Sequence, residues 1–337
     1  MKRCLALAEK ALGNTYPNPL VGAVIVHQDK IIGEGWHQKA GEPHAEVNAI
    51  NQVRDKTVLT KSTLYVNLEP CSHFGKTPPC ADLIIRFGIK QVVIASRDPN
   101  PQVAGKGILK LKEAGVEVLE TVLQKEAEFL NRRFYTFHQQ KRPYIIMKWA
   151  QTADGFIAPS TKKTNRPFWI SNALSKQKVH QWRSEEASIL VGVQTVVMDN
   201  PILNTRDWPG NNPLRLILDP SNRIPNDATV LQDELTTVVL NQEKSERLLK
   251  NNKEYHTMKD FNLDALMEFC YKRNLLSLFV EGGQKTLTHF IEKELWDEAR
   301  VFTSQEKLTT GLKSPDFDAP ISKVEKLNNT ILHTYFR

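Results

Sequence analysis

The sequence predicts an α/β protein built from two domains. Its 337 residues, 40% of them hydrophobic and 25% charged, are enough to bury two separate cores. Short apolar runs that favour strands alternate with stretches of helical spacing, which is typical of sheets covered by helices. Lys141-Arg142-Pro143 interrupts this alternation, because the residue before a proline avoids the helical conformation. We therefore expect one domain over residues 1–141 and a second over residues 142–337.

The first predicted domain opens with a helix and a hairpin. Leu5, Ala8 and Leu12 recur at helical spacing, and the two strands of the hairpin meet at Gln28-Asp29. The remaining predicted elements are helices that start near His44 and after Cys80, strands at 63–68, 91–95 and 116–119, and helices at 107–114 and 126–140. Helix N-termini near His44 and Cys80 would favour thiolate over thiol, because free backbone N–H groups point out of them.

The second predicted domain repeats the alternation without repeating the motifs. Its predicted strands and helices are strands at 144–150, 188–192, 214–218, 236–240, 276–280 and 299–303, and helices around 172–184 and 286–295. The chain contains no Gly-x-Gly-x-x-Gly fingerprint of dinucleotide-binding folds. Glu281-Gly282-Gly283 stands between a strand and a helix, where glycines either let a phosphate approach backbone N–H groups or make a simple tight turn.

Four residues of the first domain indicate a hydrolytic zinc site. His44, Cys71 and Cys80 supply one imidazole and two thiolates, and Glu46 adds a free carboxylate. Three protein ligands leave a coordination position for water, whose pKa zinc lowers to roughly 7. Glu46 can carry protons from this water to a leaving amine without binding the metal. The pattern is typical of hydrolytic deaminases.

The spacing of the two cysteines departs from the common deaminase pattern, in which two residues separate them. Eight residues intervene between Cys71 and Cys80, and Gly75 and two prolines allow this loop to close around a metal. Ordinary buried thiols and a zinc closed by a fourth ligand, His37 or His73, are the alternatives. Cys4 and Cys270 match no motif, and we expect them to fill the core.

Composition and charge favour a small anionic partner in the cytoplasm. The formal net charge is +7, but the basic residues form no arginine-rich stripe, which disfavours nucleic acid. No apolar run approaches the 18 or so residues of a membrane span, and we expect no membrane partner. The four cysteines form no disulfide framework, and charged residues interrupt the first apolar stretch, unlike a signal peptide.

The motifs together resemble the bifunctional riboflavin biosynthesis proteins of bacteria. The matching stretches of the first domain are Asn18-Pro19-Leu20-Val21-Gly22, His44-Ala45-Glu46, Leu68-Glu69-Pro70-Cys71-Ser72-His73, Gly75-Lys76-Thr77-Pro78-Pro79-Cys80 and Asp98-Pro99-Asn100-Pro101. The long spacing between the two cysteines is characteristic of that family. The resemblance implies a cytidine-deaminase-like three-layer domain followed by a dihydrofolate-reductase-like domain.

The resemblance implies a deaminase in the first domain. It would be a diaminohydroxyphosphoribosylaminopyrimidine deaminase with one zinc ion per chain, held by His44, Cys71 and Cys80, and with Glu46 as the proton carrier. The residues expected to line the pyrimidine pocket are Asn18, His73, Lys76 and Thr77.

The resemblance implies an NADPH-dependent reductase in the second domain, acting on 5-amino-6-(5-phosphoribosylamino)uracil. The matching stretches include Lys148-Trp149-Ala150-Gln151-Thr152-Ala153-Asp154-Gly155, Asp199-Asn200-Pro201 and Val280-Glu281-Gly282-Gly283. The implied NADPH contacts are Ala150, Trp169, Thr195, Asp199, Gly283, Gln284, Lys285 and Thr286. The implied substrate contacts are Arg183, Leu203, Arg206 and Glu281, of which the two arginines suit a phosphate because a guanidinium grips two oxygens at once.

One loop of the second domain departs from the family, and three other functions stay open. Pro167 stands where the family carries a serine two residues before the tryptophan, so the resemblance implies no serine contact to the substrate at this position. The alternatives are a nucleobase or tRNA deaminase with a non-catalytic second domain, a zinc-stabilised nucleotide-binding protein, and a deaminase fused to an inactive reductase. We expect a homo-oligomer.

Overall fold

The computed structural model describes the chain over residues 1–72, 78–101, 103–160, 170–244 and 252–337. Backbone contacts divide the chain into two compact units, Met1–Arg142 and Pro143–Arg337. Each unit has its own sheet and its own hydrophobic core. Within the described ranges, no helix combines the length and the apolar character that crossing a membrane requires.

The first unit is a five-stranded sheet with helices on both faces. Its described elements in chain order are α1 (Lys2–Glu9), β1 (Gly22–His27), β2 (Lys30–Trp36), α2 (Ala45–Gln52), a 3-10 helix (Lys56–Lys61), β3 (Thr63–Leu68), α3 (Cys80–Arg86), β4 (Gln91–Ser96), α4 (Lys106–Glu113), β5 (Glu117–Leu119), α5 (Gln124–Leu130) and α6 (Arg132–Gln140). The strand order is β2-β1-β3-β4-β5. β1 runs antiparallel to both of its neighbours, whereas β3, β4 and β5 are parallel.

The predicted hairpin is confirmed and has a specific turn. His27 pairs with Lys30, which leaves Gln28 and Asp29 as a two-residue loop. Both loop residues have positive φ, 48° and 61°, as a type I′ turn requires. This turn matches the right-handed twist of the two strands, and it therefore fixes their register.

Apolar residues on both sides of the sheet produce the predicted three layers. Ala49, Ile84 and Leu111, on α2, α3 and α4, pack with the inward residues of the strands in the main core. On the opposite face, Cys4 and Leu7 of α1 pack against β1. Cys4 is fully buried, in agreement with its expected role in the core.

The single helix expected over 126–140 is wrong, because α5 and α6 are separated at Asn131. The side chain of Asn131 accepts a hydrogen bond from the Leu20 N–H at 2.8 Å and donates one to the Leu20 carbonyl at 2.9 Å. Asn131 is 2% exposed, so these bonds are made inside the protein. Asparagine readily makes such bonds to backbone groups, which favours interruption of a helix.

The second unit is a nine-stranded mixed sheet with a small two-stranded sheet beside it. Its described elements are β6 (Tyr144–Gln151), β7 (Phe156–Pro159), α7 (Ala173–Glu185), β8 (Ser188–Gly192), α8 (Val193–Asp199), β9 (Leu214–Leu218), α9 (Thr229–Gln232), β10 (Thr237–Asn241), β11 (Lys253–Thr257), α10 (Leu263–Lys272), β12 (Ser277–Val280), α11 (Gln284–Glu292), β13 (Glu298–Ser304), β14 (Gly311–Lys313), β15 (Lys323–Leu327) and β16 (Thr330–Phe336). The order of the large sheet is β11-β10-β9-β8-β12-β6-β13-β16-β15, and β14 pairs with β7.

The centre of the large sheet consists of parallel strands from distant parts of the sequence. β12 pairs in parallel with β8 on one side and with β6 on the other. The carboxyl ends of these three strands therefore lie side by side at one edge of the sheet. In open α/β sheets this edge is where ligands bind.

Two apolar clusters cover the two faces of the large sheet. Met147 of β6 packs with Phe269 of α10 in one cluster, and Ile146 packs with Trp182 of α7 in the other. Cys270 is fully buried, as expected from the sequence. The antiparallel hairpin of β15 and β16 extends the sheet beyond β13, and the sequence did not predict it.

Candidate zinc and nucleotide sites

Three metal-binding side chains meet near the starts of α2 and α3. His44 is the N-cap residue of α2, Cys80 is the first residue of α3, and Cys71 follows β3. The His44 Nδ1 atom is 3.3 Å from the Cys80 Sγ atom and 3.6 Å from the Cys71 Sγ atom. All three donor atoms lie within 4.8 Å of one another. The structure thus brings together three residues that are far apart in sequence.

The spacing of these donor atoms suits a tetrahedral zinc ion. Zinc binds imidazole nitrogen at about 2.0 Å and thiolate sulfur at about 2.3 Å, which places the two donors about 3.5 Å apart in tetrahedral geometry. The observed nitrogen-to-sulfur distances of 3.3 and 3.6 Å agree with this value. One imidazole and two thiolates are also a donor set that zinc prefers.

His37 is not placed as a fourth ligand, because both of its ring nitrogens have partners. Its Nδ1 atom lies 3.2 Å from the Pro43 carbonyl oxygen, and its Nε2 atom lies 3.1 Å from the Asn18 Nδ2 atom. The ring meets the His44 ring edge-on, with 5.4 Å between centroids. His37 therefore connects Asn18 to the backbone beside His44. His73, the other candidate fourth ligand, lies outside the described residues.

The two cysteine sulfurs differ in their acidity. The pKa of Cys71 is lowered to about 4, chiefly because the Cys80 thiol donates a hydrogen bond to it, and His44 assists. The pKa of Cys80 lies well above its ordinary value, because it holds the shared proton and is buried. The Cys80 N–H also approaches the Cys71 sulfur at 3.3 Å. A cation in place of the shared proton would satisfy both sulfurs as thiolates.

Glu46 places a carboxyl group beside the donor cluster. It lies in the first turn of α2 and is 3% exposed. Burial raises its pKa, and the charge of Cys71 raises it further. A carboxyl group whose pKa is raised in this way is suited to exchange protons with a reacting group.

A second group of predicted residues gathers at the carboxyl edge of the large sheet. Ala150 lies near the end of β6, Gly192 ends β8, and Glu281 directly follows β12. Since β6, β12 and β8 are neighbouring parallel strands, these three positions share one edge. The helices α8 and α11 begin at the same edge, with Gly192 and Gly283 as their N-cap residues.

Glu281 is the centre of a buried ion group at this edge. Its carboxylate accepts hydrogen bonds from Arg183 Nε at 2.6 Å and Nη2 at 3.0 Å, and Lys148 Nζ lies 3.5 Å away. Burial alone would raise the pKa of Glu281, but the charges of Arg183 and Lys148 outweigh it and lower the pKa to about 2. Burial lowers the pKa of Lys148. The group is thus an ionised carboxylate held between two cations.

The glycines at the starts of α8 and α11 allow two loops to pack together. A Cβ atom on Gly192 would lie 2.9 Å from the Thr286 hydroxyl, and one on Gly282 would lie 3.1 Å from the Thr286 Cβ. The Gly283 N–H donates to the Thr195 hydroxyl at 3.1 Å. Close packing of the loops is therefore the visible reason for these glycines.

The first turn of α11 also has the features of a phosphate site. It contains no acidic residue, and it includes Gln284 and the exposed Lys285. The N–H groups of Gln284 and Lys285 precede the first intrahelical hydrogen bond, which the Thr286 N–H donates to the Gly283 carbonyl, and helix N-termini of this kind favour anions. The donor groups and the charge there fit one phosphate group of a nucleotide cofactor.

The loop after α8 holds two of the predicted substrate residues. Asp199 ends α8, and Leu203 is 3% exposed with a φ of 56°, a left-handed conformation that is uncommon for leucine. Because its side chain is buried, Leu203 can offer a ligand only its backbone. Arg206 is exposed and donates to the Asn204 side chain at 2.8 Å.

Arg183 contacts the same loop from α7. Besides its two bonds to Glu281, it donates to the Asn204 carbonyl at 3.1 Å. These bonds occupy three of its nitrogen atoms, so Arg183 is largely committed to contacts within the protein. Arg206 is the more accessible of the two arginines.

Two family patterns match the chain in succession. Residues 1–96 match the cytidine and deoxycytidylate deaminase zinc-binding region, and residues 143–304 match the RibD C-terminal domain. The riboflavin biosynthesis protein RibD of Aquifex aeolicus is 45% identical over 94% of this chain and 89% of its own length. The chain belongs to the RibD family. RibD of Synechocystis is 37% identical over 99% of the chain and 91% of its own length.

Solved structures of RibD proteins agree with the fold over its whole length. A diaminohydroxyphosphoribosylaminopyrimidine deaminase/5-amino-6-(5-phosphoribosylamino)uracil reductase from Thermotoga maritima has a TM-score of 0.91 and 37% identity, covering 100% of this chain and 97% of its own. Acinetobacter baumannii RibD has a TM-score of 0.91 and 32% identity, covering 99% and 97%. The predicted pair of a cytidine-deaminase-like domain and a dihydrofolate-reductase-like domain is confirmed.

Some predicted site residues of this RibD chain lie outside the described ranges, namely His73, Lys76, Thr77 and Trp169, as does Pro167. Other residues have contacts in the two sites that the sequence did not assign to them. Lys148 could have been noticed as a charge that follows the apolar residues of β6, and Glu69 as an acid between an apolar strand and Pro70. The pairing of His37 with Asn18 has no local indication in the sequence.

Proposed function

We propose that this RibD-family chain carries out two consecutive steps of riboflavin synthesis. The first is deamination of the diaminohydroxyphosphoribosylaminopyrimidine, and the second is reduction of the resulting 5-amino-6-(5-phosphoribosylamino)uracil at its ribosyl group, which becomes a ribityl chain. The Thermotoga maritima relative is named for both activities. We assign the deaminase to residues 1–141 and the reductase to residues 142–337. The observation that carries the proposal is the meeting of His44, Cys71 and Cys80 beside Glu46.

In the deaminase, His44, Cys71 and Cys80 would hold one zinc ion per chain. When bound, zinc supplies a Lewis acid that lowers the pKa of water and so makes it a nucleophile toward the amino-bearing carbon of the pyrimidine. That carbon gains the oxygen of water and loses ammonia. His44 and Cys80 are fixed at helix starts, which keeps the donor atoms in place during turnover.

Glu46 moves the protons of this reaction. It takes a proton from the attacking water and delivers it to the departing amino group, so ammonia leaves as a neutral molecule. Its buried position in α2 keeps bulk water away from the transfer. We assign the pyrimidine pocket to Asn18, which His37 supports, and to His73, Lys76 and Thr77.

In the reductase, NADPH binds along the carboxyl edge of the large sheet. We assign its contacts to Ala150, Trp169, Thr195, Asp199, Gly283, Gln284, Lys285 and Thr286. The cofactor supplies a hydride, and the protein positions the ribosyl carbon that receives it. The first turn of α11, with the N–H groups of Gln284 and Lys285 and the Lys285 side chain, suits a cofactor phosphate.

The substrate of the reductase meets Arg183, Leu203, Arg206 and Glu281. The exposed Arg206 is the better partner for the substrate phosphate, because Arg183 is bound to Glu281 and to the Asn204 carbonyl. Arg183 would then act mainly by holding Glu281 and the loop that contains Leu203. We also propose a cytoplasmic location, where thiols such as Cys71 stay reduced, and a homo-oligomeric assembly.

A two-stage assay tests the proposal. Purified chain is given the diaminopyrimidine ribosyl phosphate without NADPH, and ammonia is measured. NADPH is then added, and its oxidation is followed at equal protein concentration. We expect ammonia in the first stage and NADPH oxidation in the second.

Zinc removal provides the control for this assay. Exhaustive chelation should abolish ammonia release, while the chain should still oxidise NADPH when it is given the deaminated intermediate. Ammonia release by a chain proven free of metal would contradict the zinc mechanism. Ammonia release without any NADPH oxidation would instead favour a deaminase fused to an inactive reductase.

A further inference from the structure

Glu69 is a buried carboxylate between β3 and the zinc-ligand segment. It is 4% exposed, and both of its oxygens accept backbone hydrogen bonds. Oε1 accepts from the N–H groups of Gly107 at 2.9 Å and Ile108 at 3.2 Å. Oε2 accepts from the N–H groups of Gly105 at 2.9 Å and Asp98 at 3.2 Å. Four N–H donors thus surround one charged group that no function above assigns.

These contacts cap α4 from a distant part of the chain. The helix begins at Lys106 after Gly105, and Gly105 has no side chain that could cap it. The first N–H groups of a helix have no partner within it, and a carboxylate there is stabilised by hydrogen bonds and by the helix dipole. Glu69 supplies this cap, and the strand that carries Glu69 is thereby tied to the start of α4.

Pro70 connects this contact between Glu69 and α4 to the metal donor Cys71. A Cβ atom on Gly107 would lie only 2.0 Å from the Pro70 carbonyl oxygen, so α4 packs directly on the backbone that precedes Cys71. Proline also restricts the rotation of that backbone, because its ring fixes φ. Any shift of Glu69 relative to α4 must therefore move Pro70, and Pro70 is bonded to Cys71.

The other side of Cys71 is held independently. Its carbonyl oxygen accepts from the Ala81 N–H at 3.1 Å, and its sulfur accepts from the Cys80 N–H at 3.3 Å. Cys71 itself is thus attached to α3, and the residues that precede it, Glu69 and Pro70, are attached to α4. Glu69 is the polar side chain that makes the second attachment.

We propose that Glu69 is a positioning residue for the zinc ligand Cys71. It fixes the backbone before Cys71 relative to α4, while the Ala81 and Cys80 N–H groups fix Cys71 relative to α3, so that the sulfur stays at the distance from His44 that zinc requires. The inference rests on the proposed function, because it requires that Cys71 binds the metal. It adds a residue whose carboxylate contacts neither the metal nor the substrate and acts through the backbone.

Zinc affinity tests this role separately from stability. E69Q keeps the size of the side chain but turns an NH₂ group toward two N–H donors, and E113Q makes the same change at the exposed far end of α4. Zinc dissociation constants are measured on the full chain by competition with a chromophoric chelator, and the absorption of the Co²⁺-loaded chain reports the geometry of the sulfur ligands. We expect E69Q to bind zinc about tenfold or more weakly, with an altered Co²⁺ spectrum, and E113Q to match the wild type.

The outcomes separate a positioning role from simple helix capping. If E69Q lowers Tm but leaves the zinc dissociation constant within twofold and the Co²⁺ spectrum unchanged, Glu69 only caps α4 and the inference is overturned. If E69Q does not fold, E69D decides by the same criteria, since it keeps the charge on a shorter side chain. A wild-type chain that binds no zinc would overturn the proposed function and this inference together.

Discussion

Arg183 grips Glu281 through two hydrogen bonds, from Nε to Oε1 at 2.6 Å and from Nη2 to Oε2 at 3.0 Å. Both side chains are largely buried, with 11% and 7% exposed. A paired arrangement of this kind fixes the orientation of both groups, because the planar guanidinium matches the carboxylate. With Lys148 3.5 Å from the same carboxylate, the pair forms the electrostatic centre of the reductase edge.

Removing the charge of Glu281 should destabilise the second unit. E281Q leaves Arg183 and Lys148 buried without their anion, and breaking a buried pair in this way costs about 3 kcal/mol or more. We expect that loss in the free energy of unfolding measured with urea, together with loss of NADPH oxidation. The matched control is E268Q, which removes the ion-pair partner of Lys272 on the protein surface. The side chains of Glu268 and Lys272 are 63% and 71% exposed, so E268Q should change the free energy of unfolding by less than about 0.5 kcal/mol. Equal effects of the two variants would contradict the importance of the pair.

Glu281 should also make stability depend on acid pH. Its pKa in the folded chain is about 2, below the ordinary value of 4.5, so the folded state binds this proton less readily than the unfolded state. The stabilising contribution is therefore complete above the ordinary pKa and disappears as the pH falls through about 2. The difference in unfolding free energy between wild type and E281Q should narrow as the pH is lowered from about 5 to 2. If this difference in unfolding free energy stays constant over the range, the charge of Glu281 is not its cause.

Glu46 should be needed for deamination but not for metal binding. E46Q removes the proton-carrying group and leaves His44, Cys71 and Cys80 unchanged. We expect ammonia release to fall by about 100-fold or more, with zinc content and NADPH oxidation of the deaminated intermediate retained. E126Q, an exposed change in α5, is the control. Full ammonia release by E46Q would assign the proton transfer to another group, whereas loss of zinc would make Glu46 a structural residue.

Adding a single methyl group at Gly192 should weaken NADPH binding. In G192A the new methyl group would lie 2.9 Å from the Thr286 hydroxyl and would turn that side chain away from its rotamer, at a cost of about 1 kcal/mol. We expect the NADPH dissociation constant to rise by up to about tenfold, as measured by fluorescence titration. The same change in a T286A background should cost less, because the crowded hydroxyl is absent. An equal cost in both backgrounds would show that Gly192 acts without Thr286.

The sequence predicted those parts of the fold that depend on local pattern. β3 and β8 have the predicted limits, because each is a short run of strand-forming residues beside a turn or a polar segment. The break at Asn131 was not predicted, because it depends on the backbone of Leu20, which is 111 residues away in sequence. The hairpin of β15 and β16 was missed for another reason. Its exposed apolar residues, such as Val324 at 59%, blur the alternation that marks a half-buried strand.

In the candidate sites, too, the sequence predicted residues that belong to short motifs but not the contacts between distant residues. The candidate zinc donors could be named because few residue types bind zinc and their motifs are short. The residues around the zinc donors could not be assigned a role, because their contacts exist only in the folded chain. Glu69 accepts hydrogen bonds from the start of α4, and His37 contacts the Asn18 side chain. The list of substrate contacts treated Arg183 and Glu281 as separate groups, whereas the structure joins them.

The two sites differ in how much of the chain must be present before they exist. His44 and Cys80 are 36 residues apart, whereas Arg183 and Glu281 are separated by 98 residues. During synthesis from the ribosome, a chain emerges at about 5–20 residues per second, and domains fold as units from the N-terminus. The proposed zinc ligands can therefore come together while the strands of the reductase edge are still being translated.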